Sequence, residues 1–380
     1  MRFSRTLSRY LARETLQYAA VGFLGIATLL LANSLVRQLE DLIGLGGSIG
    51  DVAAVTVRLI AILAAYALPI ALLFGTLVAF GRLGSDHEVL ALRSLGVSLA
   101  QLAAPAIVIA LVVCGATGWL LQRGEPEARR SVLSIVAEVA SRGGVIRPGT
   151  FMKLDKDGER MLWVDKRKKN GTLMRVVVSD RSDPSRGFVV LAKTGSFVFD
   201  REASVGHLLL SDGDVHFDPD SADTDRTQRI SFQRFDYSFD MSRVIGDTPD
   251  RLRPRDMTKE ELEDRIAHFD ERGAPPPGAR DYPRAVYEVQ QQRRIALAFT
   301  PLVFCLLAVP LGLGLRRGAR SLGALICSLI AFGYFVLGNT ASAYATDGTL
   351  PASIALWLPN LACVVLALPL WWRARRAEGA

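Results

Sequence analysis

The side chains that could run a reaction are present in this chain but are not grouped for one. His87, His207, His216 and His268 are scattered, with no metal-ligand spacing. No Gly-x4-Gly-Lys-Ser/Thr loop is available to cradle nucleotide phosphates, so the chain does not hydrolyse ATP by that route. Serines such as the one in "SDGD" lack the strand–elbow–helix setting of a hydrolase nucleophile. Cys114, Cys305, Cys327 and Cys363 all fall inside apolar stretches as small soft hydrophobes and form no disulfide framework. The expectation is a protein with no metal, no cofactor and no catalytic residues of its own.

One carboxylate has a setting that asks for a role. "RLGSDHEVLALRSLGVSLAQL", residues 82 to 102, is a charged, helix-prone stretch between two long apolar segments. Ser85 and Glu88 match a Ser-x-x-Glu capping box, which predicts a helix over about residues 85–98. Val89, Leu92, Leu95, Gly96 and Leu99 share one face of that helix, with Arg93 beside them and Glu88 at the head. Among the helical neighbours of Glu88 (Gly84, Ser85, Ala91 and Leu92) there is no cation. Two uses stand open. Glu88 caps the helix and favours its dipole, or the half-apolar helix docks in a groove on a cytoplasmic protein with a basic rim.

The elements that must position this segment are apolar. Six uncharged stretches stand out: Thr15–Val36, Leu59–Phe80, Leu99–Leu121, Ile295–Leu315, Ser321–Thr346 and Ile354–Trp372. Each reaches the roughly 20 residues that cross a hydrocarbon core, and in lipid such segments are helices. The first follows a basic leader, but its length and the lack of a small-x-small cleavage site predict a retained helix rather than a signal peptide. Pro69, Pro105, Pro301, Pro310, Pro359 and Pro369 interrupt the spans, as tolerated kinks or as hinges. No ionisable residue stands in the middle of any stretch, so no ion relay is indicated.

Arginines gather before the first span, between the second and third, between the fourth and fifth, and after the sixth. The positive-inside rule therefore predicts cytoplasmic termini and an external block of about residues 122–294. The net charge of +7 is explained by that topology and does not argue for nucleic acid. Residues 1–121 and 295–380 then form the membrane parts.

Within the external block, residues of about 149–243 carry short β-prone runs: "TFMKLD", "RMLWVDKR", "LMRVVVSD", "GFVVLAKTGSFVFD", "HLLLSDGDVHFD" and "ISFQRFDYSFDM". Turn signals "DKDGE", "KKNGT", "DPSRG" and "SDGD" punctuate them, and Lys169-Asn170-Gly171-Thr172 fits a tight hairpin. Ile230, Phe232, Phe235, Tyr237 and Phe239 alternate after one slip, which predicts a bulge or register change. The expected fold is an all-β sandwich, jelly roll or open barrel inserted between two sets of three spans. It is either an inert domain or one that carries a ligand; inward Phe197, Phe199, Phe232 and Phe235 are candidates to line an apolar groove. From about residue 255 to 294 the pattern returns to helix, with Thr258 and Glu261 fitting a capping box and Pro275–Pro277 breaking the chain.

The chain resembles the LptF/LptG family of lipopolysaccharide export permeases. The resemblance is carried by "RYLARETL" before the first span, "LPIALLFGTLVAFGRL" in the second, "HEVLALRSLG" between spans, and "RRIALAFTPLVFCLLAVPLGL" in the fourth. The opening is closer to the F member than to the G member. The resemblance implies an inner-membrane subunit that pairs with an LptG-like permease and docks through its short helix on a cytoplasmic LptB-like ATPase dimer, the subunit that uses ATP. Lipopolysaccharide would pass through the jelly roll to LptC-like and LptA-like β-proteins. Glu88 matches the family's ATPase-contacting carboxylate, and Arg37 a basic residue at the outer end of the first span that contacts lipid A phosphates or core sugars. Ser34 stands where the family has a second basic residue, which leaves charge recognition to Arg37 and Arg58. The acidic residue often seen before the arginine pair of the fourth span is replaced by Gln290–Gln292 before Arg293 and Arg294. Two other readings remain: a permease of another ABC class with an external domain, and a non-transporting receptor or scaffold.

Overall fold

A computed structural model of the chain describes residues 5–44, 48–139, 148–154, 159–168, 171–182, 187–200, 205–217, 228–240, 253–270, 282–314 and 320–376. Two compact units result: a helical one from residues 1–34, 57–129 and 253–380, and a second from residues 35–56 and 130–252 that holds the sheet. The return segment from Arg253, which the sequence pattern joins to the external block, groups with the helices.

Among the described residues, six helical segments are long and apolar enough to cross a membrane. The chain opens with α1 (Arg5–Gly44) and α2 (Ile49–Ser85), then a short α3 (Glu88–Ser94) and α4 (Leu99–Trp119). A π-helical turn, Leu120–Gly124, carries α4 into α5 (Glu125–Val139). Pro126 accounts for that wide turn, because it has no N–H to donate and its ring would crowd the carbonyl of Gln122 in a regular helix. After the strands come α6 (Lys259–Ala267), α7 (Arg284–Leu313), α8 (Arg320–Thr346), α9 (Ala352–Ala355) and α10 (Leu358–Arg376). Thr258 and Glu261 do form the expected capping box at α6. Pro275–Pro277 lie outside the described residues. Pro69, Pro105, Pro301, Pro310 and Pro369 all lie inside continuous helices.

The helical unit is built around α7, whose apolar window is 67% buried, against 6% for α1. Phe304, Leu307 and Ala308 of α7 pack with Leu73 and Leu77 of α2, Cys327 and Tyr334 of α8, and Cys363 and Ala367 of α10. One group of interior polar side chains pairs within itself: the Thr300 and Tyr334 hydroxyls lie 2.7 Å apart, Tyr334 donates to Asn360 at 3.1 Å, and Asn360 donates to the Ala296 carbonyl at 2.9 Å. Gly75 lets α1 and α2 touch, since a Cβ there would lie 2.4 Å from the Ala19 nitrogen. The spans alone do not explain α1, whose Val21, Leu24, Leu29 and Val36 stay exposed.

The second unit holds one antiparallel meander in the order β1 to β6. The strands are β1 (Phe151–Lys153), β2 (Arg160–Arg167), β3 (Leu173–Asp180), β4 (Phe188–Asp200), β5 (Val205–Phe217) and β6 (Arg229–Asp240). Lys169 and Asn170 of the expected hairpin lie outside the described residues; on its flank Lys168 donates to the Thr172 carbonyl at 2.9 Å. "SDGD", a turn signal by composition, is not a turn here but the interior of β5.

The reason lies in a shared crease. The pairs 165/175, 175/193, 193/212 and 212/233 are missing from ladders that otherwise keep their register on both sides. Arg175 and Asp212 have positive φ in that row, a conformation Asp tolerates better than most residues. Along the strands the inward residues then jump by three: Leu173 to Val176, Ala192 to Gly195, Leu210 to Gly213, Phe232 to Phe235. The slip read in β6 is therefore real, and its neighbours make the same slip, so strand register is undisturbed. The sheet folds over at this line. Tyr237 of β6 reaches β3, which is not its neighbour, and donates to Asp180 at 2.9 Å, while its ring meets Phe188. Between the two halves lies an apolar interior of Leu162, Val164, Val178, Val190, Leu208, Leu210 and Phe239.

Candidate functional site

The segment around Glu88 is held in place by turns at both ends, apolar packing and a bond to α10, and the sequence pattern states these only in part. Helix α2 runs on to Ser85, whose hydroxyl donates to the Arg82 carbonyl at 2.9 Å, so the capping box of Ser85 and Glu88 does not form. His87 instead takes the left-handed conformation (φ 59°) at the head of α3, and the helix covers Glu88–Ser94 rather than residues 85–98. Val89 and Leu92 point inward and pack with Leu7, Leu11, Leu83, Val97, Leu102 and Leu313. The outward apolar residues are Leu90 (66% exposed) and Leu95 (73% exposed). Gly96, with φ 83°, ends the helix: its N–H donates to Arg93 and that of Val97 to Leu92, a Schellman turn. Arg93 donates to the Ala374 carbonyl at 2.8 Å and so ties α3 to the end of α10.

Glu88 has partners that its own helix does not supply. Tyr10 of α1 donates to its Oε2 at 2.8 Å, and Arg82 Nη2 lies 3.3 Å from its Oε1. The same Nη2 donates to the Tyr10 oxygen at 2.6 Å, and Arg82 Nε pairs with Glu14 at 3.1 Å and reaches Asp86 at 4.0 Å. One guanidinium thus serves three carboxylates, which leaves excess negative charge at a half-exposed site. Chemically the arrangement suits a cationic partner more than a reaction.

A second polar cluster, missed by the sequence reading, lies where α4 passes into α5. Glu125 is 2% exposed; its Oε1 accepts from Arg129 Nε at 2.9 Å and Nη2 at 2.7 Å, and from Tyr66 at 3.2 Å. Buried Arg294 donates from Nη2 to the Arg255 carbonyl at 3.0 Å, while its Nε and Nη1 have no hydrogen-bond partner among the described residues. Burial pushes the Asp256 carboxyl up, against the pull of Arg129, Arg255 and Arg253. The cluster fastens the return segment to α7. The Glu125–Arg129 spacing of four was the available signal; the burial was not visible in it.

The remaining candidates are dispersed. Ser34 and Arg37 belong to α1 and Arg58 to α2; Ser34 and Arg58 are half-buried, and the Arg37 side chain is outside the described residues. Phe197, Phe232 and Phe235 are half-buried against the apolar interior of the sheet, with Phe232 and Phe235 5.3 Å apart across the crease. The Phe199 side chain is likewise outside the described residues. No group of three or more His, Cys, Asp or Glu is placed to hold a metal ion among the described residues.

Comparison with known proteins fits this architecture. Residues 9–375 match the family model for the lipopolysaccharide export system permease LptF/LptG. The chain is 24% identical over 372 residues to the lipopolysaccharide export system permease protein LptF of Escherichia coli K12, covering 95% of this chain and 93% of that one. The LptF protein of Shigella flexneri matches with the same identity and coverage. A permease of this kind is a transport subunit and not itself an enzyme. With a family match that runs through the spans, α3 and the sheet alike, the chain belongs to the LptF/LptG family of lipopolysaccharide export permeases.

Proposed function

We propose that the chain is the F-type permease subunit of an ABC-type exporter that lifts lipopolysaccharide from the inner membrane. In this reading the termini and α3 are cytoplasmic, and the sheet is a periplasmic jelly roll between two sets of three spans. An LptB-like ATPase dimer, itself the user of ATP, docks on α3. An LptG-like partner covers apolar faces such as that of α1. Arg37, Ser34 and Arg58 meet the glycolipid at the outer end of the spans. Phe197, Phe199, Phe232 and Phe235 line its route through the sheet toward LptC-like and LptA-like proteins. Acyl chains need such a lining, because each exposed methylene costs about 0.8 kcal/mol.

The observation that carries the reading is the α3 surface. A half-exposed carboxylate in a site with excess negative charge sits beside outward Leu90 and Leu95 on a helix anchored to α1, α2, α4 and α10. It offers an anionic rim and an apolar knob on a rigid base, as a groove with a basic rim requires. The test is purification of the tagged chain from its native membrane. Wild type should bring down an ATPase, a homologous permease and lipopolysaccharide. Glu88→Lys should lose about tenfold of the ATPase and keep the permease, and Glu88→Gln should lose less, since Gln still accepts from Tyr10. Full ATPase recovery with Glu88→Lys sinks the docking role.

A further inference from the structure

We propose that Tyr10 and Arg82 are positioning residues for Glu88, so that the first turns of α1 belong to the coupling device along with α3. The proposal rests on the docking role of Glu88 in the reading above and adds what aims it.

The geometry points inward from the carboxylate. A glutamate on a seven-residue helix has several rotamers, and in water it samples them. Here both oxygens are engaged from elements other than α3, by the Tyr10 hydroxyl on Oε2 and by Arg82 on Oε1. Arg82 also forms an ion pair with the buried carboxylate of Glu14, one turn along α1 from Tyr10. Leu11, between them on α1, is buried with Leu83 of α2 and Val89 of α3. The polar chain Glu14–Arg82–Tyr10–Glu88 and this apolar contact run side by side, so α3 cannot shift relative to α2 without dragging on α1. A load applied at Glu88 is delivered to the base of the first span and not only to the two spans that α3 connects.

A role confined to folding would look different. The Tyr10 side chain lies in an exposed hydrogen bond, and Tyr10→Phe removes one hydroxyl while the ring and Leu11 stay. The measurements use the full chain in its native complex. Amide hydrogen exchange in α3 should quicken about three- to tenfold with Tyr10→Phe and with Arg82→Gln, and Arg82→Lys should restore part of the protection. ATPase co-purifying with Tyr10→Phe should fall by a similar factor. In a Glu88→Ala background, Tyr10→Phe should change ATPase recovery no further, because its effect passes through the missing carboxylate.

Unchanged α3 exchange in both Tyr10→Phe and Arg82→Gln overturns the proposal, whatever Glu88 does. An equal loss of ATPase from Tyr10→Phe with and without Glu88 overturns it too, since the hydroxyl would then act elsewhere. If Glu88→Ala keeps all its ATPase, the docking reading fails by itself. In that case the exchange data still decide whether Tyr10 and Arg82 hold α3.

Discussion

Asp180 is the residue on which the folded sheet closes. Burial opposes its charge, yet the Ser182 hydroxyl and N–H, the Tyr237 hydroxyl and Arg160 together hold its carboxyl below the usual range. A depressed carboxyl contributes stability that is complete above its unfolded value of about 3.9 and is lost as pH falls through the folded value. Unfolding of the sheet followed from pH 7 to pH 2 should therefore show a loss beginning near pH 4. Tyr237→Phe should cost about 1.5–3 kcal/mol at neutral pH, because a buried carboxylate loses a donor. It should also flatten the acid limb. Identical acid limbs in the two proteins would remove Asp180 as the closing group.

At the scale of elements, Gly75 tests whether α1 is packed on α2 or merely adjacent to it. A side chain at Gly75 meets the Ala19 backbone, which cannot give way as a flexible side chain would. Gly75→Leu should cost about 1–3 kcal/mol of thermal stability in detergent, whereas the same change at Gly25, with nothing within 4 Å, should cost far less. Equal melting of the two variants would show that the α1–α2 contact is dispensable. Such contacts were not legible in the sequence, although the helices were: runs of about 20 apolar residues have few other fates. The strands were legible from β-branched and aromatic runs, and the slip at Phe232–Phe235 from its broken alternation. What misled was "SDGD", whose Asp and Gly serve a crease inside a strand with the same backbone freedom that makes turns. The later start of α3 was likewise hidden. A Ser-x-x-Glu spacing states where a helix can begin, and His87 in the left-handed region decided where it did.

For the whole molecule, the topology proposed from the arginine distribution has α3 and the sheet on opposite sides of the membrane. In a background lacking Cys114, Cys305, Cys327 and Cys363, an impermeant maleimide should label Ser196→Cys in intact spheroplasts and Ser94→Cys only after lysis; both positions are exposed. Labelling of both from one side would overturn the topology. The crease has a consequence for how this family member can change over time. It works like the spine of a book whose pages are bound together: each strand must carry its extra residue in the same row, or one leaf of that strand turns its apolar side to water. Deleting Lys193 alone would expose either Val190 and Ala192 or Gly195 and Phe197. Length variation is therefore barred from the strands and pushed into the loops between them, and the width of the apolar interior between the leaves is inherited as a unit.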